Sequence, residues 1–283
     1  MTVPDPAFDA VVVGGGVAGL SAALVLGRAR RRTLVVDAGA QSNRAAHHVG
    51  GLLGHDGTPP SELYELGREQ VGAYDAVEFR DGLVTAARVD GDGFIAVLDG
   101  DEEVRARSLV LATGMSYEVP DVPGFAELWG DAVFHCPFCH GWDVRDRAVA
   151  VYASGEIAEK LATLLTGWTD DVTAVDPADV AKARIEDGRL RALVMHDGTE
   201  VVCDAVLLHA ALSRRDQLAE QLGLELTEHG FVQVDGEMRT SQPGVYAAGD
   251  LAIAPQQVAV ALGSGHTAGL VATRELLLGR AIT

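Results

Sequence analysis

The feature that most restricts the fold stands near the start of the chain. Gly14-x-Gly16-x-x-Gly19 lies between a short apolar run, Ala10 to Val13, and a segment of helical spacing that extends through Leu26. A second apolar run, Thr33 to Val36, closes the unit and ends at Asp37. Strand, glycine turn, helix and strand in that order make a βαβ unit. Gly14 permits the tight turn, Gly16 lets a diphosphate approach the backbone, and Gly19 allows close helix-to-strand packing. The helix N-terminus offers unpaired N–H groups and a positive dipole end to phosphates. Asp37 is placed to accept hydrogen bonds from a ribose hydroxyl. The motif by itself does not distinguish FAD from NAD. The bland alternative, a glycine-rich turn in any α/β domain, is weakened because strand, helix and terminal acid are all in place.

A similar pattern returns later. Ala148 to Tyr152 is apolar, a helix is expected near Ile157 to Leu165, and Val172 to Val175 follows as a strand. Between the two units lie a Gly/Pro/His-rich stretch from Gly39 to Pro60, a helix-like segment from Ser61 to Tyr74, and strands near Gly82 to Val89 and Gly93 to Leu98. Leu109 to Gly114 is a buried strand ending in a turn. The stretch from Pro177 to Asp204 is short for a complete second half, with one weak helix and two strands around Asp197-Gly198. Gly244 to Ala248 is a last strand running into Gly249-Asp250, and a helix from about Gln257 to Leu277 closes the chain. No tandem repeat, low-complexity tract or tail interrupts it. The expected fold is therefore α/β, with two Rossmann-like nucleotide-binding domains. The first is discontinuous, residues 1–116 and 243–283. The second, residues 117–242, is inserted and degenerate.

Composition narrows the partners. The chain has 283 residues, 48% of them apolar, enough to bury a sizeable core. Lys and Arg number 22 against 41 Asp and Glu, a formal charge of -19 that repels phosphate backbones and anionic lipid. Nucleic acid and membranes are poor partners on that ground. The opening MTVPDPAFDA has no basic segment leading into an apolar stretch, and no apolar run is long enough to span a bilayer, so a cytoplasmic protein is expected. Three cysteines are too few for a disulfide-stapled scaffold. In a reducing compartment a close pair is more often catalytic or metal-binding than structural.

That pair is Cys136-Pro137-Phe138-Cys139, bracketed by His135 and His140 and followed by Gly141. Two thiols separated by two residues can close a small disulfide ring, and a thiolate near a helix N-terminus is nucleophilic near neutral pH. Either histidine can stabilise the thiolate or move its proton. Cys136-x-x-Cys139-His140 also matches a c-type haem attachment sequence, which belongs to exported proteins, and no export signal is found. A zinc site would use the pair with His135 or His140, but no second paired-ligand motif is present, so no metal is expected. A buried structural pair is the third alternative, disfavoured by the flanking histidines and glycine. Cys203, in an apolar run, reads as core. His47 and His48 are a loop pair of the kind that usually faces solvent.

Taken together, the first fingerprint, Ala112-Thr113-Gly114, the Cys-x-x-Cys between two nucleotide-binding halves, and Gly244 to Asp250 resemble the low-molecular-weight thioredoxin reductase family over nearly the whole chain. The resemblance implies FAD in the first domain. It also implies FAD contacts at Gly14, Gly16, Ala18, Gly19, Asp37, Val84, Ala112, Thr113, Gly114, Gly249, Asp250, Gln257 and Val258. It makes Cys139 the sulfur that lies against the flavin in a charge-transfer complex and Cys136 the one that exchanges with substrate, and it suggests a homodimer. Thioredoxin reductases usually carry an acidic proton carrier after the second cysteine, where this chain has His140.

The family's second domain binds NADPH through a further glycine fingerprint and a basic run after the next strand. Here the fingerprint is Ala153-Ser154-Gly155-Glu156-Ile157-Ala158 and the strand ends in Asp176-Pro177-Ala178. Carboxylates at both places disfavour NADPH, while Asp176 can still accept a hydrogen bond from the 2′-hydroxyl of NADH. A worn NADPH site and a histidine after Cys-x-x-Cys are similar to the dithiol oxidases that close the disulfides of gliotoxin and holomycin. The expected function is FAD-dependent oxidation of a small-molecule dithiol, with oxygen as electron acceptor and His140, with His135, as base. The rivals are a disulfide reductase acting on a thioredoxin-like protein, fed by NADH, NADPH or a ferredoxin-like donor, and a non-catalytic flavin redox sensor.

Overall fold

The computed structural model describes residues 7–279; residues 1–6, which open the stretch searched for an export signal, and residues 280–283 lie outside the described residues. The chain first lays down β1 (Phe8–Val13), α1 (Val17–Arg28), β2 (Thr33–Asp37), α2 (Pro60–Gly72), β3 (Val77–Asp81), β4 (Val84–Asp90), β5 (Gly93–Leu98) and β6 (Glu103–Leu111). Next come β7 (Met115–Glu118), α3 (Phe125–Leu128), β8 (Val133–Phe134), α4 (Pro137–His140), β9 (Val149–Tyr152), α5 (Gly155–Leu165) and β10 (Val172–Val175). Five more strands follow: β11 (Val180–Glu186), β12 (Arg189–Met195), β13 (Glu200–Val202), β14 (Ala205–Leu208) and β15 (Ala211–Arg214). The chain ends with α6 (Leu218–Gln221), β16 (Val245–Ala247) and α7 (Val258–Leu278).

These elements form two compact units. The first comprises Met1–Ser42, Ser61–Ser116 and Ser213–Thr283, the second Asn43–Pro60 and Tyr117–Leu212. In the first, one sheet runs β3-β2-β1-β6-β5-β4, with β16 also paired to β6. Strands β3, β2, β1, β6 and β16 are parallel, whereas β4, β5 and β6 pair antiparallel. The apolar runs Ala10 to Val13 in β1 and Leu34 to Val36 in β2 follow from burial on both faces of the parallel part. Helices α1 and α7 owe their small residues to close approach. A Cβ on Gly265 would lie 2.0 Å from the Ala18 carbonyl oxygen, and one on Gly269 would lie 2.7 Å from that of Ala22.

The second unit holds a parallel sheet in the order β10-β9-β14-β8, with α5 crossing from β9 to β10, and a separate antiparallel sheet β11-β12-β13. Between Pro177 and Asp204 one weak helix and two strands were expected; the chain makes a single 3-10 turn, Pro177–Asp179, and three strands, β11 to β13. Pairing with β12 and burial of Val180 in the unit's core, with Ala183 and Ile185 packed against that core, hold β11 extended.

The division of the chain also differs from the expected 1–116, 243–283 and 117–242. Residues 213–242 belong with the first unit. Gln221 Oε1 accepts the Ala87 N–H at 2.8 Å, the Val232 N–H donates to the Leu251 carbonyl at 2.9 Å, and Arg239 Nε donates to Glu275 at 2.6 Å. Residues 43–60 join the second unit, where the cysteine pair lies. Among the described residues no helix is long and apolar enough to cross a membrane.

Candidate active site

In the first unit the fingerprint glycines are held where their lack of a side chain matters. A Cβ on Gly14, whose φ is +108°, would lie 2.3 Å from the Ala112 carbonyl oxygen, and one on Gly19 would lie 1.8 Å from that of Gly14. The ends of β1, α1 and β6 are thereby drawn together. Gly249, at φ +69°, is packed so that a Cβ would lie 2.9 Å from the Ala18 Cβ, and its N–H donates to Ser264 Oγ at 3.0 Å. Gly16 differs from these. Its Cβ direction is open, with nothing nearer than the Gln41 Cγ at 3.9 Å.

This cradle fits the diphosphate and ribityl part of FAD on the chain's own evidence. Gly16 is the N-cap of α1, with no side-chain cap and no acid in the first turn, so the helix's first N–H groups are left for an anion. The Thr113 hydroxyl is buried without a protein partner. Gly114 has φ +68° and open space where a Cβ would be. Asp250 sits in a single 3-10 turn with Gly249, Gln257 is the N-cap of α7, and Val258 is its first residue. Val84 is buried at the start of β4, two residues after Gly82, whose N–H donates to the Asp37 carbonyl at 2.9 Å.

Asp37 is more heavily engaged than its motif position suggests. Its Oδ1 accepts from the Gly15 N–H at 3.2 Å, the Gly39 N–H at 3.0 Å and Gln41 Nε2 at 3.1 Å. Its Oδ2 accepts from Arg68 NH1 at 3.1 Å and Gln41 Nε2 at 3.2 Å. The carboxylate thus fixes the glycine turn, and the capacity left for a ribose hydroxyl is on Oδ2. Arg68 and Gln41 were not legible as part of this site, since neither stands at a motif position.

In the second unit, strand β8 delivers the cysteine pair. It pairs with β14, Val206 opposite Val133 and Leu207 opposite Phe134, and Phe134 is buried beneath the site. Pro137 opens α4, where its missing N–H costs nothing. One turn of helix then brings the sulfurs of Cys136 and Cys139 to 2.7 Å from each other, with the Cys139 and His140 N–H groups donating to the Cys136 carbonyl, both at 3.2 Å. Cys136 is 8% exposed and Cys139 is half-buried.

Both histidines are desolvated. His135 lies between Tyr117 and Trp129, ring centroids 4.2 and 5.6 Å away, and burial, with a smaller effect from His140, pushes its pKa down to about 4. His140 stacks on Phe134 at 5.3 Å. Its Nε2 lies 3.3 Å from the Gly130 carbonyl oxygen, which can only accept, so Nε2 carries the proton. Its Nδ1, a lone pair in that tautomer, is buried without a protein partner. Burial, with a smaller effect from His48, lowers the His140 pKa against the Gly130 carbonyl, Asp143 and Asp131, which raise it. Two neutral imidazoles result near pH 7, able to take a proton but not to pair with a thiolate by charge.

Residues 43–60 grip this site at four places. A Cβ on Gly130 would lie 2.6 Å from the Ala45 carbonyl, and one on Gly50 would lie 2.6 Å from the Cys139 carbonyl oxygen. His47 lies 3.9 Å from Asp131, and His48 Nε2 lies 3.2 Å from Asp143 Oδ2. His47, 75% exposed, faces solvent as expected, whereas His48 is partly buried against an acid that follows the cysteine turn, about ninety residues away along the chain, a distance no motif spans.

Cys203 is buried between β13 and β14, and burial pushes its thiol pKa up to about 11. Iodoacetamide added to the reduced, folded protein near neutral pH is expected to label Cys136 and Cys139 and leave Cys203 unmodified, as read by peptide mass spectrometry. Labelling of Cys203 at a comparable rate would contradict its place in the core. Among the described residues no group of three or more His, Cys, Asp or Glu is arranged to hold a metal.

The second fingerprint is present in altered form. Helix α5 begins at Gly155, φ +58°, with Glu156 in its first turn paired to Lys160 at 2.7 Å. Asp176, at the end of β10, accepts the Ala178 N–H at 2.9 Å and so caps its own turn.

Comparison with known proteins agrees with this architecture. The family model described as pyridine nucleotide-disulphide oxidoreductase matches residues 8–195 and 177–265. The chain is 32% identical to thioredoxin reductase tcpT of Claviceps purpurea, over 95% of this chain and 94% of the relative. It is 30% identical to thioredoxin reductase sirT of Leptosphaeria maculans, over 93% and 92%. Among solved structures, HlmI superposes with a TM-score of 0.92 at 33% identity, covering 99% of this chain and 95% of HlmI. An oxidoreductase from Agrobacterium tumefaciens gives a TM-score of 0.88 at 32% identity, covering 95% and 98%.

Proposed function

The chain belongs to the pyridine nucleotide-disulphide oxidoreductase family, as an FAD-binding, thioredoxin reductase-like flavoprotein, and we propose that it oxidises a small-molecule dithiol to a disulfide. The observation that carries the direction of electron flow is the dressing of the second fingerprint. Glu156 stands in the first turn of α5 and Asp176 at the end of β10, where NADPH would bring its phosphates. Electrons supplied by the substrate need no such site. The FAD contacts are proposed at Gly14, Gly16, Ala18, Gly19, Asp37, Val84, Ala112, Thr113, Gly114, Gly249, Asp250, Gln257 and Val258, most of which line the cradle described above.

In the proposed cycle the pair starts as a disulfide. His140 accepts the proton of the incoming thiol at Nδ1, and the thiolate attacks the Cys136 sulfur. The bond between Cys136 and Cys139 breaks and Cys139 leaves as a thiolate. The second substrate thiol then attacks the mixed disulfide, which forms the substrate disulfide and releases Cys136. FAD held by the glycine cradle would supply the two-electron acceptor for the reduced cysteines, with oxygen as the terminal oxidant and hydrogen peroxide as its product. The recess around Cys136, 8% exposed, supports a small substrate over a folded protein. His135, held neutral by burial, serves as a secondary base.

A second reading, a disulfide reductase fed by NADH, rests on Asp176, whose carboxylate suits a 2′-hydroxyl, and on the names of the curated relatives. One anaerobic experiment separates the two. Dithiothreitol is expected to bleach the visible flavin absorption, and air to restore it with formation of peroxide. Rapid bleaching by NADPH or NADH would overturn the oxidase reading. His140→Asn is expected to slow bleaching by dithiothreitol by roughly 10²- to 10⁴-fold with FAD retained. Because the base must be neutral and its pKa lies below the usual imidazole value, the acid limb of this step should lie below that of a free imidazole. An unchanged rate in the variant would remove His140 from the step.

A further inference from the structure

The His48–Asp143 pair is not accounted for by binding FAD or by the cysteine chemistry. It links residues 43–60 to the turn that leaves α4, one residue beyond Trp142, and Asp143 itself is tied to His140, its N–H donating to the His140 carbonyl at 2.9 Å. The same segment also packs on Gly130, whose carbonyl fixes the His140 tautomer, and on Cys139. We propose that His48 and Asp143 are positioning residues that set the pH at which His140 takes a proton, His48 offsetting the charge that Asp143 presents to it. The proposal rests on His140 as the base of the cycle.

The physical case is one of opposed charges around a buried imidazole. Asp143 and Asp131 favour the protonated form of His140, and His48, when protonated, opposes it. His135 is coupled to His140 from the strand side, and His47 stands opposite Asp131. The His140 ring has one hydrogen bond, to the Gly130 carbonyl, and its Nδ1 has no protein partner, so its protonation is governed by burial and by these charges. The side chains of His48 and Asp143 are 34% and 36% exposed, so the charges they present to His140 are partly screened. Taking the thiol proton leaves His140 positive in the same step that makes Cys139 a thiolate, so the two charges balance without a proton from His48.

The test measures His140 directly, by NMR titration of its ring signals in the FAD-loaded protein, alongside the acid limb of bleaching by dithiothreitol. Asp143→Asn should move the His140 pKa down and His48→Gln should move it up, each by about half a unit to one unit, as expected for the loss of one nearby, partly screened charge. His48→Lys keeps a cation opposite Asp143 and should return the titration close to its native position. Opposed shifts support the proposal; a purely structural pair gives shifts of the same sign or none, which overturns it. If the NMR shifts appear as expected but dithiothreitol fails to reduce the flavin, it is the oxidase reading that fails and not the role of the pair. Should His48→Gln not fold, Asp143→Asn and His48→Lys still give contrasting outcomes.

Discussion

Cys139→Ser and Cys136→Ser are each expected to abolish flavin reduction by dithiothreitol, by on the order of a thousandfold or more, with FAD still bound. A hydroxyl stays protonated near neutral pH and cannot form the disulfide on which the cycle turns. The sulfurs are 2.7 Å apart on one turn of helix, so no other thiol substitutes for either; Cys203 is buried elsewhere in the unit with its pKa raised to about 11. The two variants should nevertheless differ. Cys139→Ser retains the sulfur proposed to meet substrate, and after treatment with an aromatic disulfide it should hold a stable mixed disulfide at Cys136, visible by intact mass. Cys136→Ser should hold one less readily. Because Cys139 is the more exposed of the two residues, this comparison decides the assignment of roles: trapping only in Cys136→Ser would exchange them.

Gly16→Glu is expected to give a folded but colourless protein, with FAD lost by at least about a hundredfold in affinity, the effect of one misplaced charge and side chain in a diphosphate site. Two facts separate this change from damage to the fold. Gly16 has φ -72° and ψ 178°, extended backbone that any residue adopts, and its Cβ direction is open. Gly19 is the contrast: a Cβ there would lie 1.8 Å from the Gly14 carbonyl oxygen, so Gly19→Ala should fail to fold at all. Circular dichroism together with visible absorption distinguishes the two outcomes. A yellow Gly16→Glu protein would show that the diphosphate does not pass this residue.

Legibility from sequence followed the range of the physics involved. The fingerprint, the buried strands and the closing helix were readable because local periodicity and glycine spacing carry them, and β1, α1, β2 and β10 lie within a residue or two of where they were expected. The stretch from Pro177 to Asp204 was only partly readable: a weak helix and two strands were expected where the chain makes a 3-10 turn and three strands, since pairing with β12 and burial in the core, which local propensity does not carry, decide β11. The return of the chain to the first unit at residue 213 was likewise hidden. It depends on single hydrogen bonds, such as those from Ala87 to Gln221 and from Val232 to Leu251, that leave no compositional trace.

The candidate site divides in the same way. By itself the sequence determined that a glycine-turn βαβ unit and a close cysteine pair are present, since a glycine turn and a two-residue spacing are written in neighbouring positions. Only the tertiary structure decided how His140 is protonated, through the Gly130 carbonyl, and what stands near it, through His48 and Asp143. It also showed that Asp37 is shared among Gly15, Gly39, Gln41 and Arg68. Proton positions and charge balance depend on distances of a few ångströms between residues far apart in the chain, and those distances exist only once the chain has folded.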